Sequence, residues 1–222
     1  LTKTWRPCLE NVSKSIELFH FLSENGLNRI VFSSTAALYK GGDGSMVTES
    51  STLEPNSPYA RTKLSVEMAL QDYCNAYNLR AISLRYFNPI GADPKMRSGP
   101  HGANPTHILG KLISVSNGDE SLFQVTGTRW PTRDGTGIRD YIHVWDLAEA
   151  HVKAVEKFED ITSNKQPFLP INLGTGKGVT VLEFIKAFEE VLGDDIPRIE
   201  SDPRAGDSAG AYASGELANE LL

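Results

Sequence analysis

The 222-residue chain has few of the features that place a protein in a membrane, on a nucleic acid or outside the cell. No apolar run approaches the roughly 20 residues that a membrane-spanning helix needs. The net charge is −6 and the basic residues do not cluster, which argues against a nucleic-acid partner. The only cysteines, Cys8 and Cys74, form no C-x-x-C pair, and no signal-like segment opens the chain. We therefore expect a cytoplasmic protein without disulfides.

Metal ligands are also lacking, because none of the five histidines has the spacing of a metal site. What remains is an ordinary globular composition, with 40% hydrophobic and 23% charged residues. A chain of this length can bury one large or two modest cores. Small molecules and other protein chains are the partners that this composition leaves open.

Helical and strand-like segments alternate over the first 90 residues. A helical pattern that begins at Val12 stops at Asn25-Gly26, a natural helix C-cap. The apolar runs 29–35 and 80–87 read as buried strands, and a helical pattern lies between them. This alternation predicts an α/β fold with a parallel sheet and crossover helices.

The pattern loosens after Gly91, where we place a soft boundary. The elements predicted beyond it are a helix over 105–117, a helix over 146–157 with Asp146 as N-cap, a strand over 168–173 and a helix opened by a capping box from Thr180 to Glu183. Segments 40–55 and 196–222 read mostly as loop, with a short helix near the end of the second.

Tyr59 and Lys63 stand four residues apart behind Asn56-Ser57-Pro58, at the start of the second predicted helix. That spacing places a phenol and an ammonium side by side on the buried edge of one helical turn. A phenol beside a fixed positive charge loses its proton more readily than a free phenol, whose pKa is near ~10. Tyr59 is therefore a candidate general base.

Sheet geometry gives this pair two neighbours. In open parallel sheets ligands bind beyond the carboxyl ends of the strands, which is where Thr35 and Asn88 fall. The helix of Tyr59 follows the loop that leaves the first strand, so we expect Thr35, Tyr59 and Lys63 at one crevice. A hydroxyl, a phenol and an ammonium suit removal of a proton from a substrate alcohol while hydride leaves its carbon.

Six ordered blocks carry a resemblance to a known family. They are Ser33-Ser34-Thr35-Ala36, Tyr59-x-x-x-Lys63, Arg85-Tyr-Phe-Asn-Pro-Ile-Gly91, the run 134–148, Asn172-Leu-Gly-Thr-Gly176 and Arg204-Ala-Gly-Asp207. Together they resemble UDP-glucose 4-epimerases of the extended short-chain dehydrogenase/reductase superfamily, across almost the whole chain. The resemblance implies a partial Rossmann-type parallel sheet with a smaller α/β substrate-binding region.

The resemblance also implies NAD as cofactor and a UDP-hexose as substrate. Tyr59 would take the 4-hydroxyl proton while NAD takes hydride from carbon 4, with Lys63 on the nicotinamide ribose and Thr35 on the reacting oxygen. The further cofactor contacts implied are Asn11, Ser33, Ser34, Tyr86 and Phe87. The further substrate contacts implied are Phe87, Asn88, His107 where some relatives carry Asn, Arg139 and Arg204 on the diphosphate, Asp207 on the uridine ribose and Ala211 near the sugar.

Two finer implications concern the sugar and the assembly. Ala211 falls where relatives differ between a bulky and a small residue, so a small side chain there predicts room for UDP-N-acetyl sugars. The resemblance further implies a homodimer packed through the helix of Tyr59 and its predecessor.

The Gly-rich turn that binds the NAD pyrophosphate is missing from the sequence. The run 174–178 imitates it, but the third glycine of the fingerprint would fall at Val179, so we interpret this run as an ordinary turn. Three βα units, about 90 residues, are expected before Leu1. Residues 1–91 would then be the second half of a dinucleotide-binding domain. Residues 92–222 would be mainly the substrate-binding region, with about 138–175 returning to the first domain.

Two other functions stay open. A nucleotide-sugar dehydratase or decarboxylase typically carries acidic residues after the position of Thr35, where this chain has Ala36 and Ala37, and this reading is disfavoured. Alternatively, a chain without the first dinucleotide half is catalytically incomplete and binds only a nucleotide sugar or a partner subunit.

Overall fold

The computed structural model describes residues 8–40, 42–100, 105–204 and 207–222. The strands in these ranges are β1 Arg29–Thr35, β2 Asp43–Val47, β3 Arg80–Tyr86, β4 Asn88–Ile90, β5 Phe123–Thr126, β6 Ile138–Arg139, β7 Tyr141–His143, β8 Phe168–Leu173, β9 Val179–Thr180, β10 Arg198–Ser201 and β11 Gly210–Ala213. The α-helices are α1 Lys14–Glu24, α2 Pro58–Ala76, α3 Ile108–Ser116, α4 Val144–Glu156, α5 Phe158–Ile161, α6 Val181–Leu192 and α7 Glu216–Leu221. A π-helical turn over Cys8–Ser13 precedes α1, and a 3-10 turn over Ala36–Leu38 follows β1.

A three-stranded parallel sheet of order β1-β3-β8 positions the candidate site. Its register pairs Thr35 with Tyr86 and Tyr86 with Leu173, so the carboxyl ends of the three strands meet at one edge. Five consecutive residues of the central strand, 81–85, are buried, as expected for a strand covered on both faces. The predicted α/β fold with a parallel sheet is confirmed.

The later part of the chain adds smaller sheets. One has the order β2-β11-β6-β9, and the pairs β5–β10 and β4–β7 are separate parallel ladders. Through these ladders Ala211 pairs with Arg139, and Asn88 pairs with Tyr141. Strand pairing therefore connects two predicted substrate residues, Ala211 and Arg139, that lie far apart in sequence.

Some local predictions are wrong in detail. Segments 40–55 and 196–222 contain β2, β10 and β11, which were expected to be loop. These short strands form by pairing with residues far away in sequence, such as Tyr212 with Met46. Local periodicity does not predict such pairing. Helix α4 begins at Val144 rather than at Asp146, because the ring of its N-cap residue His143 accepts the backbone N–H of Trp145 at 3.1 Å.

Helix α2 is well specified by its sequence. Ser57 is the N-cap and accepts the backbone N–H of Ala60 at 3.1 Å, and proline occupies the first helical position. Val66 and Leu70 bury one face of the helix in a core that also contains Cys74. Burial raises the pKa of the Cys74 thiol to about 12, and this thiol forms no disulfide.

A buried ion pair joins α2 to the central strand. The Arg85 guanidinium donates to both carboxylate oxygens of Glu67, with distances of 3.2 Å from Nε and 2.7 Å from Nη2. The hydroxyl of Ser83 donates to the same carboxylate at 2.7 Å. Both charged side chains are 4% exposed, so the bidentate geometry and the added hydrogen bond offset a large desolvation cost.

The same guanidinium reaches two further segments. Its Nη1 donates to the hydroxyl of Tyr39 at 2.9 Å and to the backbone carbonyl of Glu49 at 3.3 Å. Tyr39 in turn donates to Asn172 Oδ1 at 2.6 Å, and the carboxylate of Glu49 accepts the Asn172 backbone N–H at 2.8 Å. Arg85 thus ties together α2, the segment before it and β8.

Truncation of one partner of this pair will leave a buried charge without its counterion. We expect Glu67→Ala to lower the free energy of unfolding of the complete protein by about 3–5 kcal/mol, measured by urea denaturation. The control is the double variant Glu67→Leu/Arg85→Met, which removes both charges and should be less destabilised than Glu67→Ala. A Glu67→Ala variant as stable as the wild type would contradict the energetic role assigned to the pair.

Candidate active site

Lys63 lies on α2 beside the carboxyl end of β1. Its Nζ donates to the backbone carbonyl of Ser33 at 2.9 Å and stands 4.8 Å from the ring centroid of Phe32. Burial lowers the pKa of Lys63, and the nearby Glu67 carboxylate raises it in part. The ammonium is therefore held at the strand end by a carbonyl and an aromatic face.

Tyr59 is 47% exposed, so the prediction that it lies on a buried edge is wrong. The packed face of α2 runs instead through Ala60, Val66 and Leu70. Burial raises the pKa of Tyr86, its hydrogen bond with a serine hydroxyl lowers that pKa in part, and the neighbouring Tyr59 phenol raises it again. The two phenols therefore stand close together at the open end of the sheet.

The three hydroxyl side chains at the end of β1 differ in exposure and in hydrogen-bond partners. Ser33 is exposed, and its Oγ lies 2.6 Å from the hydroxyl of Tyr86. Ser34 is buried at 2% exposure, so its hydroxyl lies inside the fold. Thr35 is half-buried, and its Oγ1 accepts the backbone N–H of Ala37 at 3.2 Å.

Asn11 lies against the helix that carries Tyr59. Its side-chain amide donates to the hydroxyl of Thr62 at 3.1 Å, and Thr62 donates to the backbone carbonyl of Tyr59 at 2.8 Å. This contact supports the first turns of α2. A role for Asn11 in contact with the cofactor stays a prediction.

Two cavities share part of their lining beside these residues. The smaller, of about 250 Å³, is lined by Thr35 and Ala211 among others, and the larger, of about 610 Å³, by His107 and Arg204 among others. The residues that line both are Phe87, Asn88, Arg139, Asp207 and Ser208. The structure therefore brings most of the predicted substrate residues together around two adjoining spaces.

Arg139 stands where the cavities meet. Its guanidinium donates to the backbone carbonyl of Ile138 at 2.7 Å and approaches the carbonyls of Ser208 and Ala209 at 3.5 Å. These partners orient the guanidinium without neutralising its charge. A planar donor fork held in this way suits a diphosphate.

The remaining predicted substrate residues are less constrained. The Asp207 carboxylate accepts the backbone N–H of Arg204 at 2.9 Å, and the Arg204 side chain is exposed. His107 is the exposed N-cap residue of α3 and makes no side-chain cap hydrogen bond.

Sequence reasoning missed several residues that line these cavities. Tyr39 and Asn56 line the smaller cavity, and Gln124 and Thr126 line the larger. The last two alternate along β5 with core residues, and the pattern apolar-polar-apolar-polar over 123–126 could have identified them.

One wall of the smaller cavity consists of main chain. Gly42 and Gly210 both line it, and a Cβ on Gly42 would overlap the carbonyl oxygen of Gly210. Gly210 has φ +92°, and a Cβ there would overlap the carbonyl oxygen of Ile138. Neither position accepts a side chain without movement of the backbone.

The run 174–178 does not form a phosphate-binding turn. The buried carboxylate of Asp140 accepts the backbone N–H groups of Thr175 at 2.7 Å, Gly176 at 3.1 Å and Ala213 at 3.0 Å. These amides are already bound to an anion of the protein itself. The interpretation of this run as an ordinary turn is consistent with that geometry.

The residues at the end of β1 fit one end of a dinucleotide. An ammonium, an exposed serine and an exposed phenol lie along one strand end, and ribose hydroxyls bind to such groups. Within the ranges that the structure covers, no group of three or more His, Cys, Asp or Glu side chains is placed to hold a metal ion. No helix in those ranges is long and apolar enough to cross a membrane.

A parallel sheet with a Tyr-x-x-x-Lys helix beside its carboxyl edge defines the class of nicotinamide-dependent short-chain enzymes. The sequence pattern of the NAD dependent epimerase/dehydratase family matches residues 4–174. The chain belongs to this family.

The chain is also similar to individual proteins and solved structures. The chain is 42% identical over 215 residues to the UDP-glucose 4-epimerase of Bacillus subtilis (strain 168), which covers 96% of this chain and 62% of that protein. It superposes with a TM-score of 0.88 and 39% identity on the UDP-glucose-4-epimerase of Stenotrophomonas maltophila, crystallised with bound NAD and formylated UDP-arabinopyranose, over 97% of this chain and 63% of that one.

A third similar structure is the UDP-Glc/GlcNAc 4-epimerase of Campylobacter jejuni. It has a TM-score of 0.78 and 29% identity, and the match covers 100% of this chain and 66% of that one. The chain therefore spans between 62% and 66% of the length of these three relatives.

The Asp140 carboxylate gives a prediction about the turn at 174–176. Asp140→Asn replaces one acceptor oxygen with a donor group that faces backbone N–H groups, so we expect a loss of about 2–3 kcal/mol in unfolding free energy. The matched control is Asp146→Asn at an exposed position, which should change stability by less than about 0.5 kcal/mol. Equal stability of the two variants would refute this role of Asp140.

Proposed function

We propose that the complete protein interconverts UDP-glucose and UDP-galactose through a 4-keto intermediate, with NAD as cofactor. One observation carries the proposal. Thr35, at the end of β1, lines a cavity that also contains Arg139, while Tyr59 and Lys63 stand beside the same strand end. The Thr35 hydroxyl and an anion-binding guanidinium thus line the same cavity.

The two cavities suggest how the substrate lies. The smaller one reaches Thr35 and suits a hexose, and the larger one suits the uridine. Arg139 lines both, and its charge would bind the diphosphate that links the two parts of the substrate. Arg204 and Asp207 then lie at the nucleotide end, where the resemblance places them.

The side chains of this crevice have distinct tasks in such a reaction. Bound NAD would accept a hydride from carbon 4 of the sugar and return it to the opposite face. Tyr59 takes the proton of the 4-hydroxyl and returns it, and Thr35 orients the reacting oxygen with a hydrogen bond. Lys63 supplies the positive charge that stabilises the Tyr59 phenolate.

Glu67 contributes to this electrostatic arrangement from one helical turn away. Burial alone disfavours the charged form of Lys63, and the Glu67 carboxylate favours it. Because Arg85 binds both oxygens of that carboxylate, Glu67 is fixed in place instead of folding onto the ammonium. Glu67 thus offsets part of the effect of burial on the pKa of Lys63.

The lining of the smaller cavity favours epimerisation over elimination. Ala36 and Ala37 follow Thr35 in that lining, where related dehydratases carry acidic residues. Methyl groups cannot protonate a leaving group, so Ala36 and Ala37 supply no acid for an elimination.

The proposal includes UDP-N-acetylhexosamines as additional substrates. Ala211 lines the smaller cavity and pairs with Arg139, so a small side chain stands beside the space for the sugar. The named substrates of the Campylobacter jejuni relative include both hexose types, which supports the same breadth here.

Assembly and location are also part of the proposal. Leu18 and Phe21 on α1 and Met68 on α2 are 51–58% exposed, and these helices pack against each other. Such an apolar surface supports a homodimer built on α1 and α2. The composition supports a cytoplasmic location, no nucleic-acid partner and no metal.

The role of Tyr59 is tested in the complete protein. Tyr59→Phe removes the proton acceptor, so we expect kcat for UDP-galactose to fall about 10²- to 10⁴-fold while bound NAD is retained. Tyr77→Phe, at an exposed residue that caps the same helix, is the control and should be unaffected. Near-normal turnover of Tyr59→Phe would exclude it as the base, and an inactive wild type with bound nucleotide sugar would favour the binding-only alternative.

Ala211 gives a separate prediction about the sugar. Ala211→Tyr would fill space beside the hexose, so we expect turnover of UDP-N-acetylglucosamine to fall at least about 10-fold more than turnover of UDP-galactose. Competition assays with both substrates measure the ratio, and Ala211→Ser is the size-matched control. Failure of the wild type to convert UDP-N-acetylglucosamine would exclude the broader specificity.

A further inference from the structure

A third cavity adjoins the larger one. Its volume is about 450 Å³, and it is lined by the residues 127–130, which follow β5, and by 200–203. Among the residues described, Trp130 is the one that lines both this cavity and the larger cavity. The tryptophan therefore stands at the boundary between the space proposed for the uridine and a space that no step above uses.

The chain crosses this boundary in two places. Thr126 lines the larger cavity, and its neighbour Gly127 lines the third cavity. Likewise, Arg204 lines the larger cavity and Pro203 the third. A Cβ on Gly127 would lie 2.5 Å from Trp130 Nε1 and 3.3 Å from the Cβ of Pro203. The indole thus packs against main chain where the two cavities meet.

Backbone hydrogen bonds hold the indole at this boundary. The N–H of Trp130 donates to the carbonyl of Gly135, and the carbonyl of Trp130 accepts the N–H of Thr132, both at 2.8 Å. The N–H of Gly127 donates to the Ser201 carbonyl at 2.9 Å. Gly127 has φ +72°, and a side chain there would displace the indole. The wall between the cavities is therefore a fixed aromatic side chain.

The third cavity itself is open and polar. The hydroxyl of Thr128 donates to the Glu200 carboxylate at 2.9 Å. The side chains of Arg129 and Asp202 are 92% and 93% exposed. Such donors and acceptors can bind the polar edge of a nucleotide base. The indole, and not the chemistry of this space, is what would keep a larger base out of it.

We propose that Trp130 limits the nucleotide end of the larger cavity to a base with a single ring. The one ring of uracil fits on the near side of the indole, whereas the second ring of a purine would need the space that the indole occupies. The inference rests on the proposed function, which places the uridine in the larger cavity. It makes Trp130 a specificity-determining residue for the nucleotide.

The test compares the binding of UDP and GDP to the complete protein with NAD bound, measured by calorimetry. The two ligands share the ribose and the diphosphate and differ in the base. We expect the wild type to bind UDP at least about 100-fold more tightly than GDP, because the second ring of guanine meets the indole. Trp130→Ala should narrow this ratio at least about 10-fold, through tighter binding of GDP.

The matched control is Trp145→Ala, at a tryptophan on α4 that is 37% exposed and lines none of the three cavities. It should keep the wild-type ratio. If Trp130→Ala does not fold, Trp130→Leu keeps an apolar side chain of smaller size and should narrow the ratio in the same direction. An unchanged ratio in the folded Trp130 variant, or a wild type that binds GDP as tightly as UDP, would overturn the inference.

The remaining outcomes separate this inference from the proposed function. A ratio narrowed only by weaker UDP binding overturns the inference, because the indole would then hold the uracil instead of excluding a larger base. A wild type that binds UDP without converting UDP-galactose overturns only the proposed function. A wild type that binds no UDP overturns both.

Discussion

The arrangement of the site depends on the buried guanidinium of Arg85. Its bidentate bond to Glu67 sets where α2 lies along the sheet, and therefore where Lys63 meets the end of β1. Its bond to Tyr39 supports a ring that stacks 6.4 Å from Phe87, which lines both cavities. A charge this deeply buried is tolerable only when every donor has a partner, so these segments must fold together.

Charge is distributed unevenly across the site as a result. At the end near α2 the cation of Lys63 is accompanied by a carboxylate that is itself bound to a second cation. At the other end the hydrogen-bond partners of Arg139 are backbone carbonyls among the residues described. The charge of Lys63 is therefore partly balanced by a carboxylate, while the Arg139 guanidinium has no carboxylate as a hydrogen-bond partner among the residues described.

The sequence predicts those strands, helices and caps that depend on residues close together in the chain. The strand ending in Thr35, the helix that starts behind Ser57 and the capping box at Thr180 are set by burial, by proline and by hydroxyl caps within a few residues. It does not predict β2, β10 and β11, whose pairing partners are far away. Tyr39 was missed for a similar reason, because its role comes from contact with Arg85, 46 residues on.

The main-chain wall of the smaller cavity has a consequence for how related enzymes diverge. Gly42 and Gly210 leave no room for side chains, so mutation cannot reshape that wall gradually. Ala211, which follows Gly210 in the same strand, does carry a side chain and also lines the cavity. A substitution at Ala211 can therefore change the shape of this cavity, whereas a substitution at either glycine first has to move the backbone.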